Sequence, residues 1–352
     1  MKALVYHGRN DVRFEDFPEA GVLGAEEVRL KVKRAGICHT DFNEYAHGPL
    51  YVAASPHPRT GRSVPLVLGH EFSGEVVEVG AAVRRVRVGD RVAVNAVDSC
   101  RNCFYCRRGQ DALCLSAAYI GFARDGGFAQ SAVVPEACCH RLGDDVSFEA
   151  GALVEPLSVA VHAVRQAGVG IGCRAAIVGG GTVGLCTLQA LRVAGAREVF
   201  VVEKSEAKRR FSEALGVSAF INSDQTDPVT AIRELTDGLG ADVAFECVGA
   251  AGAMATAATV TRGAGTTCIV GIFPGPFEFD FNTFVSREKS IVTSLGYGDE
   301  FPTVIKMLGD GRLKAEPLIT RLIPLEKALD QGLRQYETLA ATNVRMLINM
   351  EA

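Results

Sequence analysis

Cys100, Cys103, Cys106 and Cys114 place four thiols within fifteen residues, among Arg101, Asn102, Arg107, Arg108 and Gly109. Four thiolates in a polar loop suit a closed tetrahedral zinc that fixes the loop's shape. An iron–sulfur ligand set would use the same atoms at other spacings, and chance clustering is the third reading. Upstream, Cys38-His-Thr-Asp41 and Gly69-His70-Glu71 supply a thiolate, an imidazole and a carboxylate. Those are the donors of a zinc that keeps one position open for substrate. Taken alone, the same residues are ordinary turn residues, solvated or capping. The other six of the eleven cysteines (Cys138, Cys139, Cys173, Cys186, Cys247 and Cys268) lie in or beside apolar segments and read as small buried hydrophobes.

A second kind of chemistry is written into the segment 174–184. Ala175 to Val178 is a short apolar run, Gly179, Gly181 and Gly184 follow as G-x-G-x-x-G around Thr182 and Val183, and Leu185, Leu188 and Leu191 recur at helical spacing. Strand, glycine turn and helix form the setting in which this motif binds a dinucleotide. The second glycine lets a pyrophosphate approach the backbone, and the helix N-terminus offers it unpaired N–H groups. Val199 to Val202 ends in Glu203, nineteen residues after Gly184. An acid there accepts bonds from the adenosine ribose hydroxyls and repels a 2′-phosphate, so NAD is expected over NADP.

The elements that must position these groups fall into two patterns. Up to about residue 95 the chain reads as short strands broken by Gly, Pro and Asp, with Val28–Val32, Gly74–Val79 and Arg91–Val94 as examples. From about 155 to 294, strands alternate with helices near 206–215, 229–239 and 250–260, which predicts a parallel, doubly wound α/β sheet. Cofactor binds at the carboxyl ends of such strands. That rule brings Val248, Gly271, Ile272, Phe273, Leu295, Gly296 and Tyr297 to the dinucleotide as well. A helix near 300–308 and strands at 318–323 and 346–350 complete the chain.

At 352 residues there is enough chain for two cores. Hydrophobic residues make up 48% and charged ones 22%, as in soluble globular proteins, and a net charge of −4 without a basic cluster argues against nucleic acid. The start, Met1 to Tyr6, is too soon interrupted for a signal peptide, and no apolar run reaches bilayer length, so a cytoplasmic protein without membrane contact is expected.

Cys38, Gly69-His70-Glu71, the four-cysteine lobe and the Gly179–Gly184 turn occur in the order found in zinc-containing medium-chain alcohol dehydrogenases, which the whole chain resembles. Glu44-Tyr45, Gly48-Pro49, Pro56 to Gly61, Asp125-Gly-Gly-Phe128, Leu153 to Leu157 and Phe277 to Asp280 are similar to the (R,R)-2,3-butanediol dehydrogenase branch, with sorbitol dehydrogenases as neighbours. The resemblance implies a mostly-β GroES-like catalytic domain of residues 1–154 and 296–352, and a Rossmann domain of residues 155–295. It implies a catalytic zinc on Cys38 and His70, with Glu71 and Glu155 as carboxylate candidates, and a structural zinc on Cys100, Cys103, Cys106 and Cys114. Asp41 would accept from His70's other nitrogen, Thr40 would bond the substrate oxygen, and Lys208 would contact the ribose, although a solvated helix face explains Lys208 as well. A homo-oligomer, dimer or tetramer, is expected too.

The implied reaction is NAD-dependent, reversible oxidation of a vicinal diol, with (R,R)-2,3-butanediol and acetoin as the pair and sorbitol, another polyol or threonine as alternatives. Zinc would acidify the hydroxyl and nicotinamide would take the hydride. A zinc-free quinone-reductase-like protein or a non-catalytic binding protein on the same fold is the rival of another class. One position departs from the family: Asn43 stands where a proton-relaying histidine is common.

Overall fold

The computed structural model describes residues 1–19 and 21–351. The chain folds as two compact units. One comprises Met1–Glu155, Phe301–Gly311 and Ile319–Ala352, the other Pro156–Glu300 and Arg312–Leu318.

The first unit is built on the long strand Glu27–Ile37, whose first half alternates buried and less buried residues as a sheet with one covered face requires. It pairs antiparallel with Glu71–Val79, with Ser131–Pro135 and with the C-terminal strand Arg345–Asn349. Two registers matter for chemistry: Gly36 stands opposite Glu71, and Ile37 stands opposite Met346. The end of this strand is thereby flanked by segments from two distant parts of the sequence. Arg91–Val94 and Cys139–Arg141 extend the sheet on one side and Ile319–Pro324 on the other. Tyr6, Phe72 and Phe128 are among the largest side chains in this unit's core.

The second unit holds six parallel strands in the order Ala219–Asn222, Glu198–Glu203, Arg174–Val178, Ala241–Glu246, Thr261–Ile269 and Ser290–Thr293. The inner strands are buried along nearly their whole length, because helices cover the sheet and strands buried on both faces must be apolar throughout. Thr182–Val193, Pro228–Leu235 and Ala251–Val260 are three of those helices. This is the doubly wound arrangement expected from the alternating pattern. The segment expected as one helix over 206–215 divides into a tight turn, Glu206–Lys208, and a helix, Arg209–Ala214. Among the described residues no helix is long and apolar enough to cross a membrane.

Candidate metal centres and dinucleotide site

The strand Glu27–Ile37 ends one residue before Cys38, and the helix His39–His47 starts one residue after it. Cys38 is the helix N-cap, and Asp41, on the first turn, accepts from the Cys38 N–H through Oδ2 at 2.9 Å. Its other oxygen, Oδ1, lies 3.2 Å from His70 Nδ1. Asp41 is fully buried, so both contacts are made away from water. The Cys38–Asp41 pair closes as a capping box, with cysteine and aspartate where serine or threonine and glutamate or glutamine are usual.

His70 Nε2 faces the other way and stands 3.9 Å from Glu71 Oε1. The ligand atoms of Cys38, His70 and Glu71 lie within 4.8 Å of one another. Three donors of that type on one side of a point, with one imidazole nitrogen already engaged by a carboxylate, fit a zinc that keeps an open position. Burial works against a charged His70, but the carboxylate of Asp41 and the thiol of Cys38 outweigh it and hold the pKa well above the ordinary imidazole value. Thr40 Oγ1 lies 3.6 Å from Cys38 Sγ. Glu155, half-buried in the first turn of Val154–Gln166, is not one of the three residues that converge.

Sequence reasoning overlooked four residues here. Arg345 Nη1 reaches within 2.9 Å of Glu71 Oε2 while donating to the Ile37 carbonyl at 2.7 Å. The Phe122 ring packs 5.1 Å from that of His70, and Tyr51 packs 5.4 Å from Phe122. Tyr336 stacks on Phe42 at 5.4 Å and packs at a tilt against His39 at 5.6 Å. The registers that bring Arg345 to this place leave no local signal in the sequence.

The four-cysteine lobe is a separate cluster. Cys103 Sγ lies 3.4 Å from Cys106 Sγ and Cys100 Sγ lies 3.9 Å from it, and all four sulfurs are within 4.8 Å of one another. A tetrahedral zinc with Zn–S bonds of about 2.3 Å holds its sulfurs about 3.8 Å apart, so the lobe fits the ion, whereas the thiols are free rather than disulfide-bonded. Backbone N–H groups of Asn102 and Cys103 lower the Cys100 pKa, while burial raises that of Cys106. A bound cation would favour the thiolate form of these ligands.

In the second unit the glycine turn has the shape its motif requires. Gly179 adopts φ +107°, and a Cβ on Gly184 would overlap the Gly179 carbonyl oxygen. A Cβ on Gly181 would meet nothing within 4 Å, so the space over the second glycine is open to a phosphate. Thr182 and Val183 open the following helix. Glu203 Oε2 accepts from Gly180 N–H at 2.8 Å, and Oε1 accepts from Lys204 and Ser205 N–H at 2.8 and 2.9 Å. Lys208 Nζ lies 3.6 Å from Glu203, with both side chains largely buried. Past the ends of the next three strands, Val248, Ile272 and Leu295 are 54%, 62% and 53% exposed, a row of apolar side chains left to solvent at one edge of the sheet. Gly271, Phe273 and Gly296 lie in the same loops, and Tyr297 is buried.

Residues 24–144 match the alcohol dehydrogenase GroES-like domain, and residues 182–310 match the zinc-binding dehydrogenase family. Over 334 residues the chain is 37% identical to (R,R)-butanediol dehydrogenase of Bacillus subtilis strain 168, covering 94% of this chain and 95% of that protein. Human sorbitol dehydrogenase is 32% identical over 334 residues, 93% of this chain and 90% of that protein. The crystal structure of 2R,3R-butanediol dehydrogenase from Bacillus subtilis superposes with a TM-score of 0.92 at 36% identity, covering 99% of each chain.

Proposed function

This chain belongs to the zinc-containing medium-chain alcohol dehydrogenases, an alcohol oxidoreductase of the diol and polyol kind, and from that premise we propose that it interconverts (R,R)-2,3-butanediol and acetoin with NAD. The observation that carries the substrate is the 37% identity to a butanediol dehydrogenase over nearly all of both chains. Glu71 supports it: a buried carboxylate within the ligand cluster keeps a second oxygen that can accept a hydrogen bond from the other hydroxyl of a vicinal diol. The likeness to sorbitol dehydrogenase favours a longer polyol as the second reading.

Zinc bound by Cys38, His70 and Glu71 would polarise the alcohol oxygen, and nicotinamide would accept hydride from the carbon that bears it. Asp41 fixes which His70 nitrogen is free for the metal and raises its basicity. Thr40 presents a hydroxyl beside Cys38 for the proton that leaves the alcohol. Glu203 takes the adenosine ribose and disfavours a 2′-phosphate. Glu155 stays a candidate carboxylate for substrate or metal.

The test is a panel of butanediol stereoisomers, acetoin, sorbitol, xylitol and threonine, assayed by nicotinamide absorbance with zinc-loaded protein. The (R,R) diol should give the highest kcat/KM. A clear preference for sorbitol or threonine overturns the substrate.

A further inference from the structure

Glu246 ends the strand Ala241–Glu246 and is fully buried. Its two carboxylate oxygens differ in their surroundings. Oε1 accepts from the N–H groups of Val248 and Gly249, both at 2.8 Å, whereas Oε2 is buried and accepts no hydrogen bond. The backbone carbonyl of the same residue accepts from Val270 and Gly271 N–H at 2.9 and 3.0 Å. One residue therefore holds both loops that leave the carboxyl ends of two neighbouring strands.

A third loop is attached to these two. Cys247 N–H donates to the Val178 carbonyl at 2.9 Å, and a Cβ on Gly179 would lie 2.7 Å from Val248 Cγ2. On the far side, a Cβ on Gly271 would overlap Glu246 Oε2 and the Gly249 nitrogen, and one on Gly249 would overlap the Ile272 carbonyl. The loops are packed backbone against backbone, the first bonded to the Glu246 carboxyl and the second to the Glu246 backbone carbonyl, with Gly271 packed directly against the carboxyl's Oε2. Burying a carboxyl with no cation against it among the described residues is costly, and burial raises its pKa above the usual range although the loop N–H groups oppose this. A neutral amide or an apolar side chain would be cheaper for folding alone.

The strand order says which part of a dinucleotide these loops face. Glu203 ends the strand on one side of Arg174–Val178, and Glu246 ends the strand on the other. With the ribose at Glu203 and the pyrophosphate at the glycine turn, the nicotinamide half lies over Val248 and Ile272.

We propose that Glu246 is a positioning residue for the cofactor: its carboxyl sets the loops Cys247–Gly249 and Gly271–Phe273 in the conformation that receives the nicotinamide half, without touching the cofactor itself. This rests on the dinucleotide reading given above. It makes a split that a general structural role does not: the nicotinamide half should lose affinity while the adenosine half keeps it.

The experiment uses full-length, zinc-loaded protein. NADH binding is followed by its own fluorescence, 5′-AMP is measured as a competitive inhibitor, and kcat and KM for NAD are determined for wild type, Glu246→Ala, Glu246→Gln and Gly271→Ala. Glu246→Ala should raise the NADH Kd and the KM for NAD by on the order of tenfold, with the AMP inhibition constant within about twofold of wild type and kcat at saturating NAD within about threefold. Glu246→Gln keeps an acceptor for Val248 and Gly249 and should stay within about threefold of wild type on every measure. If Glu246→Ala does not fold, Gly271→Ala, which displaces the same loops from the other side, must show the same split between NADH and AMP. Equal weakening of NADH and AMP, unchanged NADH binding in a folded Glu246→Ala or Gly271→Ala, or a Glu246→Gln as impaired as Glu246→Ala overturns the proposal. Wild type that binds neither NADH nor AMP overturns the dinucleotide reading instead.

Discussion

Arg345 Nη1 lies 2.9 Å from Glu71 Oε2, with 3% and 1% of the two side chains exposed. Nη1 spends its aligned hydrogen bond on the Ile37 carbonyl, so it meets Glu71 chiefly as a charge. Glu71 is thereby held with Oε2 toward the arginine and Oε1 toward His70. A carboxylate shared in this way can approach or leave a metal without becoming an isolated buried charge.

Removing one member of a buried pair strands the other. Arg345→Met should destabilise the first unit by roughly 3–5 kcal/mol and lower zinc retention, because the Glu71 charge loses its counterion. Arg345→Met combined with Glu71→Gln should recover most of the stability, though not turnover. Denaturant unfolding of the single and double variants measures the coupling. Additive losses would mean that the two side chains do not act as a pair.

How much of this was legible in sequence depends on how locally each feature is determined. The glycine turn is set by contacts between residues five apart, such as Gly184 against the Gly179 carbonyl, and the four thiols lie on one short loop. Both could be read directly. Cys38, His70 and Glu71 meet only because the strands Glu27–Ile37 and Glu71–Val79 pair with Gly36 opposite Glu71. Their residue types suggested a site, but the register that assembles it has no local signature. Arg345 was invisible for the same reason at greater distance, since it joins through the pairing of Ile37 with Met346. The helix His39–His47 was missed because its single apolar turn is short, although its cap residues were already noted as metal chemistry.

Two zinc sites of unlike donors should respond differently to loss of one ligand. Cys103→Ser should reduce zinc from two ions per chain toward one and lower the unfolding temperature, since a closed thiolate site contributes folding energy outright. His70→Ala should leave a folded protein whose turnover has fallen by at least about a thousandfold, as expected when the Lewis acid is lost. Metal analysis by mass spectrometry with a parallel melting curve separates the two. Iron in the freshly purified protein would refute the assignment of the four-cysteine lobe.

Cofactor choice should follow Glu203, but not in isolation. Its carboxylate accepts three backbone N–H groups, from Gly180, Lys204 and Ser205, and lies 3.6 Å from Lys208. A 2′-phosphate there would meet a fixed negative charge, so wild type should favour NAD over NADP by on the order of a hundredfold in kcat/KM. Glu203→Ser should narrow that ratio and also raise KM for NAD, because the turn loses its acceptor at Gly180. Equal efficiency with both cofactors in wild type would refute the role.

The last expectation concerns the helix that starts beside Cys38. His39, Asn43 and His47 follow one another at intervals of four and so share a face. His39 is exposed, yet its ring stands against Phe42 and Tyr336, and the partial desolvation they impose lowers its pKa below the ordinary imidazole value. His47 is exposed with its ring edge-on to Phe42. Asn43, half-buried between them, has no group that titrates near neutrality. With neither imidazole enclosed in the site, His39→Ala and His47→Ala should each keep turnover within about threefold of wild type, less than loss of a general base costs. Diol oxidation should then accelerate toward alkaline pH without a step near 6.5, the ordinary imidazole value. Asn43→His should add such a step and raise the rate at neutral pH by about tenfold. The measurement is the pH profile of kcat/KM for the diol across the four proteins. A folded His39→Ala or His47→Ala without activity would show that the proton leaves through that imidazole, and the absence of any step in Asn43→His would show that position 43 does not face the proton's route.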